Sequence, residues 1–240
     1  MKVRRSITAG LSALALCAAS LSAAAVVAQQ QQQPPPQKTE AQKTEAQTKQ
    51  EPPASKKNAR PAGEAAAAAE PFDRMTPEQM SGRCVTLDTE AGAVVFEVLS
   101  EAAPETARNF LNLVAAGAFD TTTFSRVVRD FVVQGGNVTT RETVTPDLLR
   151  RAARKVPDEP NAVKHLRGVV SLARPAEANA ATSHFFILLS DAPHLDGAFA
   201  AFGRVTSGME AVDRIAAGDL DGETPKNPVR IRRATVARCP

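Results

Sequence analysis

The stretch Phe124-Ser125-Arg126-Val127-Val128-Arg129-Asp130-Phe131-Val132-Val133-Gln134-Gly135-Gly136 is the densest unusual segment of the chain. Its apolar runs, 122–128 and 131–134, read as two strands, yet Arg126 and Gln134 sit inside them and a Gly pair ends the second. Working outward, residues 168–173, 185–189 and 200–205 read as further strands. Towards the N-terminus, Val85-Thr86-Leu87 and Val94-Val95-Phe96-Glu97-Val98 alternate around Glu90-Ala91-Gly92, the pattern of a hairpin. From Pro104, the residues Ala107, Phe110, Leu111, Val114 and Ala115 recur at helical spacing, with Gly117 as the stop. Residues 208–217 repeat that pattern through Met209, Val212, Ile215 and Ala216, and residues 229–237 close with an alternating strand. Eight short strands and two helices predict a mainly β protein, a small closed barrel with helices capping its ends.

The N-terminal part has a different texture. Lys2, Arg4 and Arg5 precede an uncharged Ala/Leu/Val-rich stretch over residues 7–27, which ends in Val26-Val27-Ala28. A basic start, an apolar middle and a small-residue exit describe a secretory signal over residues 1–28, cut after about Ala28. The alternative is an uncleaved membrane anchor, and a membrane partner is expected only in that case. Leu14-Ala15-Leu16-Cys17 is a weak lipoprotein-like site, and Arg4-Arg5 is a weak twin-Arg signal. Residues 29–82 are expected to form a disordered linker. No large apolar residue occurs from Gln29 through Pro71, so this part cannot bury enough surface to offset its ordering entropy. It opens on five Gln and three Pro and repeats Lys38-Thr39-Glu40-Ala41-Gln42 as Lys43-Thr44-Glu45-Ala46-Gln47. The linker either tethers the domain or is a neutral tail. Residues 83–240 then form one domain.

Charge excludes one class of partner. The full chain has 29 basic and 26 acidic residues, a net +3. Losing Lys2, Arg4 and Arg5 with the signal leaves no net charge, so nothing argues electrostatically for nucleic acid. Outside the N-terminus no run of 18 residues is apolar enough to span a membrane. His165, His184 and His194 have no metal-like spacing with each other or with cysteine, so no metal is expected. Ser183 has no G-x-S-x-G elbow or acid partner that would make it a nucleophile. Asn137-Val138-Thr139 is a glycosylation sequon, relevant only in a eukaryotic host.

Two more segments complete the pattern: Ala181-Thr182-Ser183-His184-Phe185-Phe186-Ile187, and His194-Leu195-Asp196-Gly197 followed by Phe199 and Phe202-Gly203. With these in order after Phe124–Gly136, the sequence from Cys84 to the C-terminus resembles the cyclophilins, the peptidyl-prolyl cis–trans isomerases of that type. Leu172-Ala173-Arg174 with Ala181-Thr182-Ser183 looks most like the bacterial secreted branch. The resemblance implies an eight-stranded antiparallel barrel closed by two helices. It implies rotation of X–Pro bonds in proline-containing polypeptides, with no cofactor and no covalent intermediate, by a monomer exported to the periplasm or beyond. By the same resemblance, Arg126 donates to the twisted amide, and Gln134 hydrogen-bonds substrate and orients Arg126. Phe131, Val132, Phe186 and Leu195 form the proline pocket. Ala173 and the Arg174 backbone pair with residues ahead of the proline.

Three positions depart from the family pattern. His194 stands where members carry Trp or Phe, Phe199 where they carry His or Tyr, and His184 where Gln follows the serine. Residues 138–155 match poorly and are expected to be a short inserted helix or a loop. The first and last strands pair in the resembled barrel, which would bring Cys84 and Cys239 together as a disulfide in an oxidising compartment, the alternative being two free thiols. The rival readings are a catalytically weak module that only binds proline peptides, and a tethered envelope scaffold.

Overall fold

A computed structural model describes residues 70–240. The predicted signal over residues 1–28 and the linker as far as residue 69 lie outside the described residues. Residues 70–82, also expected to be linker, are part of the fold instead. Thr76 and Gln79 form a capping box around α1 (Pro77–Met80), whose Pro77 lies at the helix start. This turn delivers Met80 to the core, and Phe72 is buried ahead of it. Phe72 N–H donates to Asn112 Oδ1 at 2.9 Å, and Arg108 donates to the carbonyls of Phe72 and Met75. The few apolar residues of the segment lie among charges, so it reads as solvated until its partners on the next helix are known.

β1 (Arg83–Thr89) and β2 (Gly92–Val98) form the predicted hairpin. α2 (Pro104–Ala115) starts at its proline and buries Phe110, Leu111 and Val114. Ala103 has no side chain to cap this helix. The Glu159 carboxylate does so, accepting from the N–H groups of Glu105 at 2.9 Å and Thr106 at 2.7 Å. β3 (Arg126–Val128) and β4 (Val132–Gly135) are the strands of the opening stretch. The poorly matching region contains a 3₁₀ turn, Val138–Thr140, and α3 (Pro146–Ala152) capped by Thr145. Glu70 pairs with Arg151 and Arg154 of this insertion, tying it to the start of the fold. β5 (Val169–Leu172), β6 (Phe185–Leu188), β7 (Ala201–Ser207) and α4 (Met209–Ala216) follow. A two-residue hairpin, β8 (Leu220–Asp221) and β9 (Thr224–Pro225), precedes β10 (Ile231–Arg238).

The main sheet has eight antiparallel strands in the order β10-β1-β2-β7-β5-β6-β4-β3. The expected barrel is not closed. Thr121 adopts a left-handed φ of 58°, and residues 122–125 do not continue β3 as a strand. Between the edge strands there is a single bridge, Thr123 to Arg230, rather than a ladder. Inside, Phe110 contacts Phe96, Phe119, Phe185 and Phe202 with ring centroids 4.8 to 5.7 Å apart. Edge-to-face and stacked pairs of this kind add to simple burial.

Cys84 and Cys239 form a disulfide with Cα atoms 4.9 Å apart, closing the first strand against the chain end over 155 residues. Such a loop removes much freedom from the unfolded chain, by about 2–4 kcal/mol in the usual range. Reduction, or Cys84→Ser with Cys239→Ser, is expected to lower the urea midpoint accordingly. An unchanged midpoint would exclude that contribution.

Candidate active site

Sheet register divides these residues between two faces. On β3, β4, β6 and β5, the residues Val127, Val133, Ile187 and Val170 lie opposite one another and point into the main core. Their neighbours point the other way, since side chains alternate along a strand. Arg126 lies opposite Gln134, Gln134 opposite Phe186, and Phe186 opposite Ser171, a single row across four strands. Beside it runs the row Val128, Val132 and Leu188.

A second apolar cluster covers this outer face. It includes Val132, Phe186, Leu188, Ala192 and Leu195, with Phe131, Ala173 and Phe199 packed partly buried against it. Every apolar residue assigned to the proline pocket or its flank therefore falls in one cluster. His194 completes the rim, its ring 5.5 Å from that of Phe131. Phe199 meets Phe186 edge-on at 5.9 Å, and the Arg174 guanidinium lies 5.2 Å over the Phe199 ring. A cation over an aromatic face is attracted by the ring quadrupole. Phe199 thus has a partner in Arg174.

Arg126 stands at the polar end of the row. Its Nη1 donates to Gln134 Oε1 at 3.3 Å and its Nε to Glu223 Oε2 at 2.7 Å. Among the described residues nothing accepts from Nη2, which leaves a charged donor edge beside an apolar surface. Beyond Gln134 a cleft of about 440 Å³ is lined by Ala173, Arg174, Pro175, Ala180, Thr182 and His184. Ala173 donates its N–H to the His184 carbonyl at 2.8 Å, so its own carbonyl is what it can offer a peptide.

Residues 84–236 match the family described as cyclophilin type peptidyl-prolyl cis-trans isomerase. The chain belongs to the cyclophilins. It is an isomerase of that family, and its relatives carry that name. A peptidyl-prolyl cis-trans isomerase of Arabidopsis thaliana is 38% identical over 155 residues, covering 63% of this chain and 92% of the relative. Peptidyl-prolyl cis-trans isomerase A of Dickeya dadantii is 32% identical over 167 residues, covering 64% and 84%. A crystal structure of a cyclophilin type isomerase from Cryptosporidium parvum, determined in the presence of the dipeptide Ala-Pro, aligns with a TM-score of 0.56 and 26% identity. That alignment covers 64% of this chain and 98% of the other. Plant and bacterial relatives match alike, so the similarity does not single out the bacterial secreted branch.

Sequence reasoning missed several residues of this cyclophilin site. Glu223 reaches Arg126 from the β8–β9 turn, 97 residues away, and no local signal marks it. His165, Ser171 and Asp196 form a hydrogen-bonded chain behind the apolar cluster. Burial holds the imidazoles of His165 and His184 below their usual value of 6.5. The His165 backbone N–H first, then the Lys164 ammonium, hold Asp196 at about 2. For both histidines the folded state favours the neutral ring, so below pH 6.5 the unfolded chain binds more protons. Stability is therefore fully present above pH 6.5 and declines as pH falls towards the folded values. Urea midpoints at pH 7.5 and about pH 5 test this, the lower pH giving the lower midpoint.

Proposed function

We propose that this cyclophilin rotates X–Pro bonds of exported polypeptides, with Arg126 favouring the twisted amide over a proline ring seated on Phe131, Val132, Phe186 and Leu195. The row Arg126–Gln134–Phe186 carries this reading, because it sets a guanidinium donor and an apolar surface on the same face of the sheet. The barrier to rotation, about 18–20 kcal/mol, comes from amide resonance. At the twisted geometry the nitrogen lone pair is no longer shared with the carbonyl and can accept a hydrogen bond. A donor aimed there stabilises the transition state more than the planar ground state, which is what lowers the barrier. Guanidinium suits this role because it stays charged and its donors are fixed in a plane. No covalent step or cofactor is required.

Gln134 orients Arg126 through its side-chain oxygen and presents its amide to the peptide. The Ala173 carbonyl and Arg174 backbone pair with residues ahead of the proline, and the cleft beyond Gln134 receives one of their side chains. Export is supported by the N-terminal segment and by the Cys84–Cys239 disulfide, a bond typical of oxidising compartments. The reading is of a periplasmic or secreted monomer of the bacterial secreted branch. It is held at a membrane only if residues 1–28 stay attached.

Two-dimensional NMR exchange on a blocked X–Pro peptide tests the activity. The chain is expected to raise the interconversion rate at substoichiometric concentration. Binding of the peptide without faster exchange would leave only the rival reading, a module that holds proline peptides. Mass measurement of the exported protein tests the cleavage, with a mature chain beginning near Gln29 as the expected result.

A further inference from the structure

The guanidinium of Arg126 is held at two of its three nitrogens. Nη1 donates to Gln134 Oε1 at 3.3 Å, on the neighbouring strand. Nε donates to Glu223 Oε2 at 2.7 Å, on the turn between β8 and β9. The second bond is the shorter and joins two full charges, and such charge-assisted bonds are roughly twice as strong as neutral ones. Among the described residues nothing accepts from Nη2, so both of its hydrogens are left for a peptide.

Backbone sets the place of Glu223. Leu220 pairs with Pro225 and Asp221 with Thr224, so Gly222 and Glu223 are the whole of a two-residue turn. Gly222 takes a φ of +60°, the left-handed backbone that glycine supplies at the first position of such a turn. The Glu223 carbonyl accepts from Val127 N–H at 2.8 Å, which ties the turn to β3 one residue from Arg126. One residue thus holds two neighbours on the strand that carries the donor, through its backbone and through its side chain. It does so beside the gap in the sheet, where a single bridge, Thr123 to Arg230, joins the edges.

A half-exposed arginine with one neutral acceptor samples many rotamers, and only those that bring a donor to the substrate nitrogen speed rotation. Holding two nitrogens of a planar group fixes both its reach and its tilt. The carboxylate also has an opposing effect, since its negative charge weakens the field that the guanidinium offers a substrate. Removing it therefore slows catalysis if orientation dominates and speeds it if charge dominates. Exposure decides between them. Both side chains face water, which screens the charge and leaves the direction of the bond intact. We propose that Glu223 is a positioning residue for isomerisation: with Gln134 it fixes the Arg126 guanidinium plane and leaves Nη2 as the donor for the twisted amide.

This inference rests on the isomerase reading. The test is exchange and line-shape NMR on a blocked X–Pro peptide, with the full chain and its variants. Glu223→Ala is expected to lower kcat about fivefold, within the worth of immobilising one long side chain. KM should change less than about twofold, because the apolar surface that holds the proline is untouched. Glu223→Gln keeps an acceptor oxygen at the same reach and should recover most of the loss. In an Arg126→Ala background, Glu223→Ala should slow the reaction no further, whereas a merely structural role would slow that chain as well. A Glu223→Ala chain as fast as wild type or faster, a loss carried by KM, no recovery in Glu223→Gln, or an additive loss in the Arg126→Ala background would each overturn the inference. In those outcomes the wild-type acceleration remains and the isomerase reading stands. Absence of wild-type acceleration would overturn both.

Discussion

Replacing Arg126 with alanine is expected to lower kcat/KM for X–Pro isomerisation by about 10²–10³-fold, the range for losing a donor aimed at a transition state. The fold should hardly register the change. Arg126 is 41% exposed and its ion pair partner Glu223 is 55% exposed, and exposed pairs contribute about 0.2–1 kcal/mol. The apolar surface formed by Phe131, Val132 and Phe186 remains, so peptide affinity should change much less than the rate. Arg126→Lys is the informative companion. Lysine keeps the charge but is a single point donor, so it cannot hold Gln134, Glu223 and a substrate nitrogen with separate edges. Partial recovery, well below wild type, is expected. Line-shape or exchange NMR on one peptide measures both rates. Equal rates for wild type and Arg126→Ala would remove Arg126 from the chemistry.

Much of this arrangement was legible in the sequence, and what was not has a physical reason. β1, β2 and α2 show themselves through local periodicity, because each buries one side of a regular element. The apolar site residues were legible through the order of their motifs. Their meeting on one face is a matter of cross-strand register, as where Gln134 lies opposite Phe186. Residues 70–82 were misread because Phe72 and Met80 are isolated among charges, and their burial depends on Arg108 and Asn112 of α2. Closure of the barrel was expected from the count of eight strands and two helices, but residues 122–125 do not continue β3 and reach Arg230 at one bridge only. Glu223, His165 and Asp196 were invisible as site residues. Each is an ordinary polar residue alone and acquires a role only through a partner dozens of positions away, as Asp196 does with His165. Even the Cys84–Cys239 pairing was reachable only through the resembled fold, since two cysteines 155 residues apart carry no geometry of their own.

The Gly pair that ends the opening stretch makes a sharp demand on the fold. Gly136 has φ +87°, and a Cβ there would lie 2.2 Å from the Ser183 carbonyl oxygen and 2.9 Å from His184 Cα. Both neighbours are backbone atoms, so no side-chain rotation relieves the contact. Ser183 is itself tied back, donating Oγ–H to the Gly136 carbonyl at 2.8 Å. Gly136→Ala must therefore push the end of β4 and the segment entering β6 apart, with Gln134 on the first and His184 on the second. Left-handed backbone costs an alanine about 1–2 kcal/mol and overpacking typically about 1–3 more, so a loss of about 2–5 kcal/mol is expected. Gly197 separates the two contributions. Its φ is +67°, yet a Cβ there would meet nothing within 4 Å, so Gly197→Ala should show the backbone cost alone. Urea denaturation of the two variants reads the difference directly. The surviving folded fraction of Gly136→Ala should also bind X–Pro peptide more weakly, because the cleft between Gln134 and His184 has been wedged. If Gly136→Ala loses no more stability than Gly197→Ala, the close approach of the two strands is not what the second glycine serves.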